Sequence, residues 1–334
     1  MAPAILALIG SPYQALGLLE YVRERGITKG TVFLPIQDDL TMLRPSMNVL
    51  MHLRGFTFHS RRATGFRQMG VHTGTVAQEI VAIGRENQTV DTVVIGDYRD
   101  TSAWRVASLL GRTGPDVVVL DDGASTLAID RSRGGFAPLE WSEEAERGGF
   151  MPQKAVTFFT SMADALQAAP GDTVVPNSWT WLKSRYRGLR RSSSLVLVIG
   201  QGFSRVRIMD EETELEVAHR LVDAARELHP GRNLLYVAHR GESISKLKAM
   251  AEVCDVARFD IPLELVPVEA GLLPHGVIGH YSTALMSMAT LAPPDLAVHS
   301  QRIPNDLLLS RGSDVADAYR RLESAFAELI TFID

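Results

Sequence analysis

Cysteine is nearly absent from this sequence, and long uninterrupted apolar runs are absent altogether. Cys254 is the only cysteine among 334 residues, so no intramolecular disulfide framework can form, and no Cys/His cluster has zinc-site spacing. Such cysteine use is typical of a protein made in a reducing cytosol. Nowhere does an apolar run reach the roughly 18 residues of a spanning helix. We therefore expect a cytoplasmic protein that meets a membrane, if at all, peripherally at its inner face.

Strong net charge and several familiar cofactor motifs are also missing. The formal net charge is −5, which argues against nucleic acid as a main partner because a basic stripe is expected there. No strand-to-helix turn reads G-x-G-x-x-G, and neither G-x-x-x-x-G-K-[ST] nor G-x-S-x-G occurs. Dinucleotide binding, P-loop chemistry and nucleophile-elbow hydrolysis are thereby disfavoured. We predict no cofactor and no metal requirement.

What the chain does contain is an alternation of short apolar runs with amphipathic helices, the pattern of parallel sheets covered on both faces. Its length exceeds one ordinary core and suggests two domains of roughly 150 residues each. We predict an α/β protein with two Rossmann-like parallel-sheet domains that face each other across a cleft, and a C-terminal helix. The predicted boundaries are 1–175 for the first domain, 176–193 for a basic linker, 194–312 for the second domain and 313–334 for the helix.

Ten strands are predicted from these runs. They are Ala4–Ile9, Thr31–Leu34, Phe56–His59, Thr92–Ile95, Val117–Leu120, Val156–Phe159, Leu195–Ile199, Leu234–Val237, Val256–Phe259 and Gly276–Ile278. In sheets of this kind ligands bind beyond the carboxyl ends of the strands. The residues that follow each strand are therefore the first candidates for a site.

The segment Leu272–Leu285 runs from an apolar strand through Gly279 to Ser282 and Thr283 at the start of a helix. The first N–H groups of a helix lack partners and its dipole favours negative charge, so this arrangement can bind a nucleotide phosphate. The alternative is that Ser282 only caps the helix.

The turn Asp121-Asp122-Gly123 directly follows a predicted strand. One aspartate can accept a proton from a hydroxyl nucleophile if burial and its neighbour raise its pKa. The adjacent pair can alternatively hold a divalent cation, or the motif can be a plain Asp-Gly turn.

His239 follows another strand, with Arg240 beside it. A histidine there can protonate or hydrogen-bond a leaving phosphate, and arginine adds a fixed positive charge suited to phosphate. The alternative is a surface histidine in a loop. Four further candidates follow strand ends elsewhere: the close-approach residues Gly200 and Gln201, the acid Asp210, and Gln14 in the helix turn capped by Ser11.

The predicted linker interleaves cations with aromatic residues. They are Lys183, Arg185, Arg187, Arg190 and Arg191, with Trp179, Trp181 and Tyr186. One interpretation is a solvated connection between domains. The other is a contact to anionic lipid or to an acceptor, because clustered cations beside aromatics favour such surfaces.

Taken in order, these motifs resemble the bacterial sialyltransferases with the two-domain GT-B fold, most closely glycosyltransferase family 52. The matching pieces are Ser11-Pro12-Tyr13-Gln14, Asp121-Asp122-Gly123-Ala124-Ser125-Thr126, Gly200-Gln201-Gly202, Tyr236-Val237-Ala238-His239-Arg240-Gly241-Glu242 and Tyr281-Ser282-Thr283-Ala284-Leu285. They span nearly the whole chain in the family's order.

The resemblance implies an inverting transfer of sialic acid or a related nonulosonic sugar from a CMP-linked donor to a glycan or glycolipid acceptor, without an obligatory metal. His239 takes the place of the histidine that assists departure of CMP, and Ser282 and Thr283 take the hydroxyl pair on the donor phosphate. The base is Asp121 or Asp122 by analogy with related sialyltransferases, or Asp210 by analogy with family 52. A peripheral membrane contact and a homodimer complete the predicted partners.

Two positions depart from the family pattern, since proline is expected where Arg240 and Gly202 stand. They put the sugar specificity in doubt and motivate one alternative, a nucleotide-sugar-binding protein of the same fold without turnover. A more distant alternative is a GT-B enzyme that uses a UDP-sugar, an epimerase or a transferase, because such enzymes share two facing α/β domains.

Overall fold

The computed structural model describes residues 4–36, 43–62, 73–85, 89–110, 115–129, 131, 155–309 and 312–334. The chain divides into two compact units, unit 1 at Met1–Trp181 and unit 2 at Leu182–Asp334. This division falls inside the segment 176–193 that the sequence marks as the interdomain connection. The Gly/Pro-rich and acidic stretch at 134–149 lies outside the described residues.

Unit 1 is built on one parallel sheet. Its strands are β1 Ile5–Leu8, β2 Gly30–Ile36, β3 Phe56–Arg62, β4 Thr92–Ile95, β5 Asp116–Leu120, β6 Thr157–Thr160 and β7 Thr173–Pro176. Its helices are α1 Pro12–Glu24, α2 Leu43–Leu50, α3 Thr73–Arg85 and α4 Thr101–Leu109, and α5 Thr180–Tyr186 crosses into unit 2. Within the described residues the strand order is β3-β2-β1-β4-β5-β6-β7, and every pairing is parallel.

Unit 2 holds a second parallel sheet. Its strands are β8 Arg190–Arg191, β9 Leu195–Ile199, β10 Asn233–Val237, β11 Asp255–Ala257, β12 Leu272–Leu273, β13 Gly276–Gly279, β14 Ala297–Gln301 and β15 Thr331–Ile333. Its helices are α6 Glu211–Leu228, α7 Ile244–Met250, α8 Val266–Ala270, α9 Thr283–Leu291 and α10 Gly312–Phe326. In the part of the chain that the structure describes, the main sheet runs β11-β10-β9-β13-β14-β15, and β8 pairs with β12 separately.

Burial on both faces explains why the sequence forms these strands. Ile5, Val93 and Val119 in unit 1 are fully buried, as are Val196 and Ile278 in unit 2. Strands covered by helices on both sides read as continuous apolar runs, and β-branched residues suit the pleated surface. The predicted fold class, two Rossmann-like parallel-sheet units, is confirmed.

The strand order reverses direction once in each main sheet. In unit 1 the reversal lies between β1 and β4, and in unit 2 it lies between β9 and β13. Crossover connections leave an open crevice at such points, beyond the carboxyl ends of the strands. The polar loops predicted from the sequence follow these central strands.

One predicted segment needs correction, and several strands lie outside the predicted set. The end of the chain is not only a helix, because α10 stops at Phe326 and the short strand β15 joins the sheet beside β14. Strands β7, β8 and β14 were not predicted, because β7 and β8 are short and β14 reads Ala-Val-His-Ser-Gln, with polar residues among its five. Leu272 and Leu273, which the sequence places in the apolar strand before Gly279, form the separate strand β12 beside β8.

The expected linker contains buried aromatic residues rather than a solvated connection. Trp179 is packed against Tyr13 in unit 1, and Tyr186 donates a hydrogen bond to the backbone oxygen of Glu264 in unit 2. Trp181 lies under the guanidinium of Arg23. These aromatics are therefore occupied within their units, and the membrane contact stays a prediction that depends on the cations alone. Among the described residues, no helix is both long and apolar enough to cross a bilayer.

Candidate functional site

Three neighbouring strands of unit 1 end at the same level. Leu8 of β1 pairs with Ile95 of β4, and Ile95 pairs with Val119 of β5. The loops that follow these strands therefore meet at one edge of the sheet, next to the reversal in strand order. We call the polar cluster formed by Gln14, Asp97, Arg99, Asp122 and Ser125 at this edge the carboxylate cluster.

Gln14 connects the first of these loops to the third. Its Oε1 accepts a hydrogen bond from the N–H of Gly10 at 2.6 Å, and its Nε2 donates to Oδ1 of Asp122 at 2.7 Å. Ser11 caps helix α1, because its Oγ accepts from the N–H of Gln14 at 3.2 Å. The sequence-predicted residues Ser11, Gln14 and Asp122 thus lie together, with a capping role for Ser11.

Arg99 connects the second loop to the third. Its guanidinium binds both carboxyl oxygens of Asp97 at 3.0 Å, and its Nη2 reaches Oδ2 of Asp122 at 2.7 Å. The same Nη2 lies 2.9 Å from Oγ of Ser125. The carboxylate of Asp122 is therefore held by one amide and one guanidinium from different loops, which orients it before any ligand arrives.

The environment of Asp122 makes it a proton acceptor near neutral pH. Burial, followed by the charge of Asp97, raises its pKa to about 7, against the lowering effect of Arg99. Its side chain keeps 26% of its surface exposed, so a ligand can reach it. A carboxyl group with this pKa, within reach of solvent, is suited to general base catalysis.

Asp121 differs from its neighbour in exposure and in hydrogen-bond partners. It is 4% exposed, and its Oδ2 accepts from the N–H and Oγ of Ser161 at 2.7 and 2.9 Å. It joins the ends of β5 and β6, and burial raises its pKa. Gly123 follows with a φ of 67°, which explains the glycine at this turn. Among the described residues, no group of three or more His, Cys, Asp or Glu is placed to hold a metal ion.

Three strands of unit 2 also end at one level. Val237 of β10 pairs with Ile199 of β9, and Ile199 pairs with Gly279 of β13. The loops that follow contain Gly200-Gln201-Gly202, His239-Arg240 and Ser282-Thr283. Nε2 of Gln201 donates to the backbone oxygen of Tyr281 at 2.7 Å, which ties the first loop to the third. The structure thus brings together the predicted donor-binding residues at the edge beside the reversal in strand order.

Close backbone approach explains both glycines of the first loop. A Cβ at Gly200 would lie 2.5 Å from Oε2 of Glu242 and 2.6 Å from Oη of Tyr236. A Cβ at Gly202 would lie 2.9 Å from the carbonyl carbon of Gly241. Proline at 202, which the family resemblance leads one to expect, would therefore clash with the neighbouring loop. Glycine at this position is a packing requirement of this chain.

Beneath these loops lies a buried ionic cluster that the sequence analysis missed. Nζ of Lys246 lies 2.7 Å from Oε1 of Glu214 and 2.5 Å from Oε1 of Glu242, and all three residues are at most 7% exposed. The hydroxyl of Tyr236 also donates to Glu242. Burial raises the pKa of Glu242, while the ammonium of Lys246 opposes the shift. We call Glu214, Glu242 and Lys246 the buried triad.

His239 lies at the surface of unit 2, surrounded by cations. Desolvation, followed by the charges of Arg240, Arg205, Lys246 and Arg258, lowers its pKa to about 3. Its Nδ1 accepts a hydrogen bond from the N–H of Gly241 at 3.0 Å, so the proton of the neutral ring sits on Nε2. The ligand-free protein therefore presents His239 as a neutral hydrogen-bond donor, which corresponds to the hydrogen-bonding role among the two that the sequence suggests.

Ser282 acts as the cap of helix α9, because its Oγ accepts from the N–H of Leu285 at 3.2 Å. The capping alternative for this residue is thus realised in the structure. Thr283 is the first residue of the helix. The phosphate role of Ser282 and Thr283 stays a prediction.

Asp210 does not belong to either cluster. It caps helix α6, with its side chain accepting from the N–H of Thr213 at 2.8 Å, and it is exposed. The hydrogen bonds from Thr213 lower its pKa. A lowered pKa makes a weaker base, so the geometry favours Asp122 over both Asp121 and Asp210.

Two signals in the sequence point to residues that were overlooked. Glu242 and Lys246 are four positions apart at the start of a helix, the spacing of a Glu–Lys pair on one helix face. Arg99 follows strand β4 within a charged run, as Asp122 follows β5. Glu214 carries no such signal, because it stands among other acids in the first turn of α6.

Comparison with known proteins finds structures of similar fold but no matching family. No protein-family model and no curated protein sequence matches the chain. Among solved structures, S. aureus MnaA in a co-structure with UDP has a TM-score of 0.57 at 11% identity, covering 98% of this chain and 90% of that one. Arabidopsis thaliana UGT89C1 complexed with UDP-L-rhamnose has a TM-score of 0.52 at 10% identity, with 100% and 86% covered. MurG of Acinetobacter baumannii has a TM-score of 0.50 at 13% identity, with 100% and 86% covered.

These likenesses show the GT-B fold and correct the family assignment. The similar structures include proteins solved with UDP or a UDP-sugar, and no family model supports glycosyltransferase family 52. The resemblance to CMP-dependent sialyltransferases was wrong. Its short motifs mark the strand ends of a GT-B fold, where any such protein needs glycines, caps and polar loops.

Proposed function

We propose that this chain is a glycosyltransferase of the GT-B fold that takes its sugar from a UDP-linked donor. The observation that carries the proposal is the cationic loop edge of unit 2, where Arg205, Arg240 and Arg258 surround the neutral His239. Arginines beside a helix N-terminus at the reversal of a parallel sheet favour a phosphate-bearing ligand. The uridine nucleotides present in two of the similar structures support UDP as its nucleotide.

Unit 2 holds groups of the kind that stabilise a departing diphosphate. Arg258 donates to the backbone oxygens of His239 and Glu242 at 3.3 and 3.1 Å, which holds the loop while its charge stays at the edge. His239 presents Nε2–H, and helix α9 begins at the same edge with the positive end of its dipole. Fixed donors and charges of this kind stabilise negative charge that grows on a leaving group.

Unit 1 holds the group that we propose as the general base. Asp122, with a pKa of about 7, is substantially ionised at neutral pH and can take the proton of an acceptor hydroxyl. Gln14 and Arg99 orient its carboxyl oxygens. The proposed acceptors are glycans or glycolipids.

Nucleotide titration followed by a turnover assay tests the proposal. We expect UDP to raise the unfolding temperature of the chain and to bind more tightly than CMP in calorimetric titration. With a panel of UDP-sugars, we expect release of UDP that depends on an added glycan acceptor. UDP binding without release from any UDP-sugar would identify a nucleotide-sugar-binding protein without turnover. Absence of binding by any uridine nucleotide would contradict the proposal.

A further inference from the structure

The buried triad contacts each of the two loops that precede helices α6 and α7. Glu214 lies on α6, and its Oε2 accepts from the N–H of Ser204 at 2.7 Å. Glu242 lies in the loop after β10, and its Oε2 accepts from the N–H of His239 at 2.5 Å. Lys246 on α7 donates to the backbone oxygen of Gln201 at 2.9 Å. One ammonium group therefore ties together the loop at 200–204 and the loop at 238–242.

The glutamates of the buried triad make more hydrogen bonds than an isolated ion pair with Lys246 would need. Both glutamates use one carboxyl oxygen for Lys246 and the other for a loop N–H. Buried ion pairs contribute little net stability, because desolvation offsets most of the Coulomb attraction. A chain that needed only stability would do as well with apolar side chains here. What the triad adds is a defined position for two segments that connect strands to the helices α6 and α7.

We infer that Lys246 is a positioning residue, which sets the ligand-binding geometry of the loops at 200–204 and 238–242 through Glu214 and Glu242. The inference rests on the proposed function, since the ligand of those loops is a UDP-sugar in that proposal. His239, Arg240 and the glycine N–H groups would then meet the nucleotide in an orientation fixed before binding. Preorganised donors bind more tightly because less ordering is lost on association.

Three variants separate positioning from stability. Lys246→Met removes the shared cation and leaves two carboxylates next to each other. The triple variant Lys246→Met, Glu214→Gln and Glu242→Gln removes all three charges and keeps the shape, but its neutral amides accept from the loop N–H groups more weakly than the carboxylates do. Val222→Ala is the matched control, because it opens a cavity in the unit 2 core on the same helix as Glu214 and removes no charge or hydrogen bond of the buried triad.

We expect Lys246→Met and the triple variant to bind UDP at least tenfold more weakly than the unmodified chain, and Val222→Ala to bind it unchanged. The triple variant should unfold at nearly the unmodified temperature, so it remains informative if Lys246→Met fails to fold. Unchanged affinity in Lys246→Met or in the triple variant would overturn the inference. So would an equal loss of affinity in Val222→Ala, because the effect would then follow stability alone.

A measurement without ligand keeps this inference separate from the proposed function. Residue-resolved amide hydrogen exchange should show the N–H groups of Ser204 and His239 exchanging at least tenfold faster in the triple variant, and unchanged in Val222→Ala. If the unmodified chain binds no UDP, the proposed function fails, and the hydrogen-exchange measurement alone tests the positioning role of Lys246. Faster exchange at both amides would then support the positioning role, and unchanged exchange at either would refute it.

Discussion

The carboxylate cluster of unit 1 and the loop edge of unit 2 occupy equivalent places and have opposite electrostatics. Each follows central strands that end level beside a reversal in strand order. In unit 1, burial and Asp97 raise the pKa of Asp122 to about 7. In unit 2, desolvation and surrounding cations lower the pKa of His239 to about 3. The topology thus provides two similar positions, and the local charges make one rich in carboxylates and the other rich in cations.

The contrast also extends to what lies beneath each edge. In unit 1, Arg99 is itself part of the edge, and its charge is paired with the carboxylates of Asp97 and Asp122. In unit 2 the lysine is buried below the loops, and the arginines above it remain at the surface. A ligand with several negative charges is therefore favoured at unit 2 and disfavoured at the carboxylate cluster.

The largest effect is expected from Asp122→Asn. The amide keeps the shape but cannot take a proton, so turnover should fall by about 10²–10⁴, the range for a positioned acid or base. UDP affinity should stay unchanged. The exposed Asp164→Asn is the matched control in unit 1 and should keep full activity. A fully active, folded Asp122→Asn protein would remove the functional difference between the two edges.

The pH dependence of turnover and of stability also tests the proposed role of Asp122. The rate should rise with pH through about 7, since the ionised form of Asp122 is the base. The effect on stability has the opposite sign, because a carboxyl group whose pKa is higher in the folded state binds its proton more tightly when folded. Asp122 therefore contributes most to the free energy of unfolding below its unfolded-state pKa, and that contribution is lost as the pH rises through about 7. Asp122→Asn should therefore raise the unfolding temperature at pH 8 more than at about pH 4. A larger increase in unfolding temperature at about pH 4 than at pH 8 would contradict the raised pKa of Asp122.

His239→Ala should have the next largest effect. Loss of one positioned donor to a leaving group lowers turnover by about 10²–10³. His239→Gln retains an N–H donor without a titratable ring, and we expect it to recover part of the rate. Steady-state kinetics on both variants checks this. Equal loss in both would indicate that the imidazole must carry a charge, against its lowered pKa.

Ser282 should show a smaller effect, on stability. Ser282→Ala removes the cap of α9 and should cost about 1 kcal/mol, whereas Ser282→Gly should cost only a few tenths. If the hydroxyl also binds phosphate, both variants should lose UDP affinity alike. A denaturant melt beside a UDP titration separates the roles, and unchanged affinity in both variants would leave Ser282 with capping alone. Thr283→Ala, measured in the same way, examines the second hydroxyl.

The smallest effect is expected from Asp210→Ala. Its carboxylate caps α6 at an exposed position, so the unfolding temperature should fall slightly while turnover and UDP affinity stay unchanged. A large loss of turnover in the folded variant would return Asp210 to the candidates for the base and weaken the contrast between the two units.

Much of the fold was predictable because it depends on local patterns. Runs such as Leu195–Ile199 and Thr92–Ile95 coincide with strands, and Ser11-Pro12 starts α1 as a cap and first-turn proline. The short strands at β8 and β15 could not be predicted, since two or three residues carry no period and gain their order from a partner strand. The donor was misassigned for a related reason: the motifs Asp-Asp-Gly and His-Arg describe strand ends, while the nucleotide is chosen by contacts that no short motif contains.

By itself the sequence determined an α/β chain with two parallel-sheet units, and it marked the loops where polar residues gather, because apolar periodicity, caps and turns are local properties. Only the tertiary structure decided which of those residues differ in role. Asp121 and Asp122 are adjacent in the chain, yet one is bonded to Ser161 and the other to Gln14 and Arg99. Lys246 reaches Glu214 from 32 residues away. A side chain's pKa and partners depend on burial and on charges from distant segments, and those distances exist only once the chain has folded.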